Sequence, residues 1–146
     1  MSQNSTPVLI VEDDDIDQMT VKRVFKELKV PNQLVLRSNG EEALDYLRNA
    51  NNEKPCLIFL DLNMPRMNGW EFLEIIQADE SLSNIPVIIL TTSDSEEDRK
   101  RAEQFRPIVI GYITKPVQYS ESVKVIGGQL EKLNLLQLEN AASHLG

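Results

Sequence analysis

The chain has 146 residues, 41% of them hydrophobic, and a formal net charge of −8. This size predicts one domain with a core large enough to fold alone, and the acidic balance excludes non-specific attraction to nucleic acid or an anionic membrane. No apolar stretch reaches the roughly 18 residues of a membrane span, the polar N-terminus lacks a signal-peptide core, and the one cysteine, Cys56, permits no disulfide within the chain, which fits a reducing cytoplasm.

The apolar run Val8-Leu-Ile-Val11 predicts a buried first strand ending in the acids Glu12, Asp13, Asp14 and Asp15. Carboxylates this crowded repel one another unless water or a cation relieves them. Asp14 or Asp15 can also cap the next helix, whose N-terminus favours anions. That helix is expected to run to about Leu28, with Ile16, Met19, Val24 and Leu28 as its apolar face, Phe25 beside them and Pro31 ending the region. Residues 33–37 read as a short second strand. Asn39, with Glu42 three residues on, then starts a helix that buries Ala43, Leu44 and Leu47.

The central stretch runs from Cys56 through Leu-Ile-Phe-Leu to Asp61 and stops at Pro65. A continuous apolar run ended by turn chemistry predicts a strand buried on both faces. Asp61 then lies at its C-terminal end, where open parallel sheets bind ligands, although an aspartate there can also serve as an ordinary turn acceptor. Pro65 and Gly69 constrain the following loop, so its backbone can pass close to whatever Asp61 holds. The next helix, 70–79, buries Phe72, Leu73 and Ile76, with Trp70 as a packing or partner contact.

Residues 86–90 form the fourth predicted strand, and Thr91 is the first residue past its apolar run. Ser93 and Glu96 have the spacing of a capping box. The helix 95–105 is nearly all charged, with Glu96/Lys100 and Glu97/Arg101 as i,i+4 pairs. Only Ala102 and Phe105 can face a core, so it is expected to be weakly anchored. The fifth strand, 109–113, ends at Thr114-Lys115-Pro116, where the proline fixes the backbone and a cis bond is one way to do so. The last helix starts near Gln118 and presents Tyr119, Val123, Ile126, Leu130 and Leu133, weakened by Gly127 and Gly128. Leu133, Leu135, Leu136 and Leu138 exceed what docking needs and are expected to form an exposed contact surface.

Five strands alternating with five helices predict a doubly wound α/β fold, a parallel sheet with helices on both faces. One sheet edge then carries Glu12, Asp13, Asp61, Thr91 and Lys115. Three carboxylates make a hard-oxygen site suited to Mg²⁺, and a hydroxyl with a lysine completes an anion receptacle. The combination points to phosphoryl chemistry with Asp61 as nucleophile.

Val11-Glu-Asp13, Asp61-Leu-Asn-Met-Pro-Arg-Met-Asn-Gly69, Thr91-Thr92 and Tyr112-Ile-Thr-Lys-Pro116 together resemble the receiver domains of two-component response regulators. The resemblance covers residues 6–133 and leaves 134–146 as a tail, a helical extension or disordered. It implies a flavodoxin-like sheet of strand order 2-1-3-4-5. It implies a phosphoacceptor signalling protein rather than an enzyme, one that promotes its own phosphoryl transfer and dephosphorylation. Asp61 would take the phosphoryl group from a sensor histidine kinase or histidine phosphotransfer protein. Asp13, Asp61 and the Asn63 backbone carbonyl would hold Mg²⁺, with Glu12 acting through water. Thr91 and Lys115 would contact the phosphoryl group, and Tyr112 matches the switch aromatic. The chain is similar to stand-alone receivers, including those paired with bacterial phytochromes. It is expected in the cytoplasm, with output by protein–protein contact, including a homodimer through the helix 4–strand 5–helix 5 face, and with no nucleic-acid or membrane partner.

One departure from the family pattern is the stretch 105–111, which is about two residues longer than usual. Three other readings compete. An aspartate-nucleophile phosphatase resembles Asp-x-Asp, but the second acid position here is Asn63. A flavin module needs a phosphate loop after the first strand, where this chain has four acids. A receiver-like module that binds partners without phosphorylation is the remaining alternative.

Overall fold

The predicted alternation is realised in the computed structural model, which describes residues 6–135. Strands β1 (Val8–Val11), β2 (Leu34–Arg37), β3 (Leu57–Leu60), β4 (Val87–Thr91) and β5 (Val109–Thr114) alternate with helices α1 (Asp15–Glu27), α2 (Gly40–Arg48), α3 (Gly69–Ala78), α4 (Glu96–Glu103) and α5 (Tyr119–Lys132). All paired strands are parallel, in the order β2-β1-β3-β4-β5. This is the flavodoxin-like doubly wound sheet, with helices on both faces.

Successive strand residues point to opposite faces. Leu9, Val11, Ile58, Leu60, Val87 and Ile89 therefore pack with residues of α2, α3 and α4. Their neighbours Val8, Ile10, Leu57, Phe59, Ile88 and Leu90 pack with α1 and α5. Strands β1, β3 and β4 are buried throughout, which is why their sequences are continuous apolar runs rather than alternating ones. Cys56, half-buried just before β3, has its thiol pKa raised by burial. No helix among the described residues is long and apolar enough to cross a membrane.

Several local expectations are corrected. Ile16 and Met19 are 74% and 67% exposed, and α1 instead buries Val21, Val24 and Phe25. At 3.6 residues per turn, Ile16 and Met19 project about 140–160° away from Val21, so they cannot share its face. The N-cap of α4 is Ser95, which accepts from the Asp98 amide, while Ser93 bonds the Asp98 carboxylate. Neither Glu96/Lys100 nor Glu97/Arg101 pairs among the described residues. Arg101 lies 4.6 Å over the Trp70 ring instead, and Trp70 stacks on Phe105 at 5.9 Å. The cis peptide among the described residues is Arg106–Pro107, not Lys115–Pro116.

The long 105–111 stretch is absorbed where β4 meets β5. Val87 pairs with Val109 but Ile88 with Gly111, so Ile110 is the extra residue of a register shift. At the end of α5, Asn134 adopts a left-handed φ of 60°. The Leu135 amide then donates to the Leu130 carbonyl at 2.9 Å, and the Asn134 amide to that of Glu131 at 3.0 Å. This double return is the Schellman arrangement. It turns Leu135 back into the core at 2% exposure, so it is not part of an exposed leucine surface. Leu136 and Leu138, with the rest of the expected tail, lie outside the described residues.

Candidate active site at the sheet's C-terminal edge

Backbone hydrogen bonds carry the sheet one residue past its strands and thereby place the polar groups. The Glu12 amide donates to the Arg37 carbonyl at 2.9 Å, the Asp61 amide to that of Val11 at 3.0 Å, and the Lys115 amide to that of Thr91 at 2.7 Å. Glu12, Asp61 and Thr91 are thus buried polar residues lying side by side at the ends of β1, β3 and β4. Asp14 caps α1 by accepting from the Ile16 and Asp17 amides. This starts the helix immediately beyond the exposed Asp13.

The loop after Asp61 is packed tightly against it. The Gly69 amide donates to the Leu62 carbonyl at 3.0 Å, and a side chain at Gly69 would come within 2.6 Å of the Asp61 carbonyl oxygen. Glycine is required here for close approach rather than for a left-handed backbone, since no described glycine has positive φ. Asn68 and Glu71 form the capping box that starts α3 and closes the loop.

Carboxylate oxygens of Glu12, Asp13 and Asp61 lie within 4.8 Å of one another. Such a hard-oxygen set fits a divalent cation of the Mg²⁺ type. Lys115 reaches into the same crevice. Its Nζ lies 2.6 Å from Glu12 Oε1, 2.7 Å from Asp17 Oδ2 and 3.5 Å from Asp61 Oδ2. Burial pushes the Glu12 carboxyl up to about 8; the Lys115 hydrogen bond opposes this and the Asp61 charge adds to it. Burial works against the Lys115 ammonium, but its hydrogen bonds to Asp17 and Glu12 outweigh that and hold its pKa above the ordinary lysine value.

A family model described as the response regulator receiver domain matches residues 8–127. The chain belongs to that family. This receiver domain is similar to response regulator Rcp1 of Synechocystis sp., with 33% identity over 135 residues, 88% of this chain and 90% of Rcp1. It is also similar to the probable methanogenesis regulatory protein FilR2 of Methanothrix harundinacea, 34% identical over 122 residues, 82% of this chain and 77% of the other. Among solved structures, the phosphorylated cyanobacterial phytochrome response regulator RcpA matches with a TM-score of 0.80 at 34% identity, over 87% of this chain and 92% of that one. The Mn²⁺-bound form of Rcp1 matches with a TM-score of 0.80 at 32% identity, over 90% and 96%.

The receiver fold brings Glu12, Asp13, Asp61 and Lys115 into one cluster, as the sequence predicts. Thr91 is fully buried at the end of β4, and its Oγ1 accepts from the Ser93 amide at 3.4 Å. The Asn63 amide lies 3.5 Å from Asp61 Oδ1, in the turn that leaves β3. Tyr112 donates its hydroxyl to the Ser93 carbonyl at 3.0 Å. Sequence reasoning does not single out Asp17. Its one available signal is helical phase: three residues past the N-cap Asp14, it sits in the first turn of α1, beside the strand ends.

Proposed function

We propose that this receiver domain accepts a phosphoryl group on Asp61 from a histidine kinase or histidine phosphotransfer protein, with Mg²⁺, and signals in the cytoplasm by phosphorylation-dependent protein–protein contact. The observation that carries the reading is the cluster of Glu12, Asp13 and Asp61 with the Lys115 ammonium reaching into it. Residues 6–133 make up the receiver and 134–146 its tail. The match over nearly the whole length of Rcp1 supports a receiver that works as a unit.

Asp13, Asp61 and the Asn63 carbonyl would hold the metal, with Glu12 acting through water. Bound Mg²⁺ supplies charge neutralisation on the phosphoryl oxygens. An Asp61 carboxylate oxygen attacks phosphorus; the O–P bond forms as the bond to the donor imidazole nitrogen breaks, and that nitrogen keeps the electron pair. Lys115 and Thr91 bind phosphoryl oxygens and keep them aligned. As Thr91 is drawn toward the phosphoryl group, Tyr112 reorients, since both bond Ser93.

The exposed Ile16, Met19 and Val117 support a place for the phosphodonor. Ile16 and Val117 line a cavity of about 210 Å³ together with Asp17, Lys115 and Tyr119. This rim includes Lys115, whose Nζ lies 3.5 Å from Asp61 Oδ2, and apolar side chains there offer a phosphodonor a contact surface. For output we assign the α4–β5–α5 face as a homodimer or partner surface. In support, α4 itself buries only Ala102, so it can shift with the loop after Thr91 at low cost.

Incubation with acetyl phosphate and Mg²⁺, followed by intact-mass spectrometry, tests the reading. One phosphoryl group is expected on the wild type and none on Asp61→Asn. Uptake of an acid-stable phosphate by the variant at the wild-type level would refute the assignment. A wild type that takes up none leaves the partner-binding module as the better reading.

A further inference from the structure

An ammonium has three N–H donors. Lys115 directs its shortest contacts to Glu12 Oε1 at 2.6 Å and Asp17 Oδ2 at 2.7 Å. The Asp61 oxygen is 3.5 Å away, beyond the roughly 2.7–2.9 Å of a charge-assisted bond. In the unmodified protein, therefore, the lysine is held chiefly by carboxylates other than the one at the centre of the site. Asp17 is not needed to start α1, because the Asp14 side chain already takes the Ile16 and Asp17 amides. Among the described residues, the contact its side chain makes is the one to Lys115, across 98 positions of sequence.

We propose that Asp17 is a positioning residue that draws the Lys115 ammonium toward α1 and competes for it with the group carried on Asp61. The inference rests on Asp61 being the phosphoacceptor. Two effects act in the same direction. Asp17 occupies an N–H that would otherwise be free for a phosphoryl oxygen, and its negative charge stands next to the place where an anion must enter. The helix N-terminus favours an anion at this position. The Asp17 side chain is 34% exposed, so solvent screens the pair and the restraint is modest. Phosphorylation adds charge at Asp61 and pulls Lys115 off Asp17, which releases the first turn of α1 from the β5–α5 loop.

The test is the affinity for beryllofluoride in the presence of Mg²⁺, followed by ¹⁹F NMR, with Asp17→Asn as the variant. The amide keeps the shape and an acceptor oxygen but removes the charge. Binding is expected to tighten about two- to fivefold. In a Lys115→Ala background the same substitution should give a clearly smaller gain, the part due to charge alone, and the difference between the two backgrounds measures the competition for the lysine. A direct readout needs neither metal nor anion: the Lys115 ¹⁵Nζ resonance of the metal-free protein should shift in Asp17→Asn. Unchanged or weaker binding, an equal gain without Lys115, or an unmoved Nζ resonance would each overturn the inference while wild-type beryllofluoride binding leaves the phosphoacceptor reading standing. A wild type that binds no beryllofluoride would overturn that reading first, and the inference with it.

Discussion

Tyr112 donates its phenol hydroxyl to the Ser93 carbonyl oxygen at 3.0 Å, tying β5 to the loop that leaves Thr91. The Arg99 guanidinium covers the ring at 4.6 Å and also reaches Asp94 and Thr114. Tyr112→Phe keeps the ring and its cation but removes one hydrogen bond to a half-buried carbonyl. The expected loss is about 1 kcal/mol of unfolding free energy. Urea unfolding should show a lower midpoint at an unchanged slope; an unchanged midpoint would mean that the bond contributes nothing in solution.

Two glycines should respond in opposite directions. A Cβ at Gly69 would meet the Asp61 carbonyl oxygen at 2.6 Å and Leu62 Cα at 2.8 Å, both backbone atoms that cannot swing aside. Gly69→Ala is expected to cost about 1–3 kcal/mol and to weaken Mg²⁺ binding by displacing Asp61. A Cβ at Gly128, inside α5, would meet nothing within 4 Å. Gly128→Ala should stabilise by up to about 1 kcal/mol through helix propensity. Thermal melts and a Mg²⁺ titration check both, and a tolerated Gly69→Ala would contradict the tight loop.

Metal-free stability should fall as pH rises. Glu12 is raised by burial from 4.5 to about 8 in the folded protein. Between those values the folded state holds a proton that the unfolded chain has released, so the native state is favoured most below the lower value. This contribution is fully present below pH 4.5 and is lost as the pH rises through about 8. Mg²⁺ favours the ionised carboxylates, so its stabilisation should be largest at the alkaline end. Melting temperatures across this range, with and without millimolar Mg²⁺, should converge as the pH falls. Glu12→Gln should remove the slope; a slope that persists in this variant would assign it to another group.

Leu135 should behave as a core residue. It is buried with Leu130, Val24 and Phe25 on the α1–α5 side of the sheet. Leu135→Ala is expected to cost about 2–5 kcal/mol, as buried leucine truncations do. A change of only a few tenths in denaturant unfolding would place it on the surface.

The assigned output face makes a prediction about assembly. Beryllofluoride with Mg²⁺ should convert a monomer into a dimer in sedimentation velocity, and substitutions on α4 should block the shift without removing beryllofluoride binding. A monomer in both states at tens of micromolar would leave the α4–β5–α5 dimer without support.

The order of elements and the polar residues at the strand ends were legible in the sequence because each depends on local information. Runs such as Leu57-Ile-Phe-Leu60 must be strands buried on both faces, and the first polar residue beyond such a run must stand at the sheet's edge. Glu12, Asp61 and Thr91 were found in this way, and Lys115 stands one place further on, after Thr114. The outward phase of Ile16 and Met19 also follows from counting around the helix. Tertiary structure alone decided which charges meet. The sequence order does not show that Lys115 lies nearer Asp17 than Asp61, because these residues sit on separate elements and a difference of 0.8 Å is set by how α1 and the β5–α5 loop pack. Nor does it show the upward pKa shift of Glu12, because that follows from removal of water around a carboxylate, and burial belongs to the folded assembly rather than to any segment of the chain.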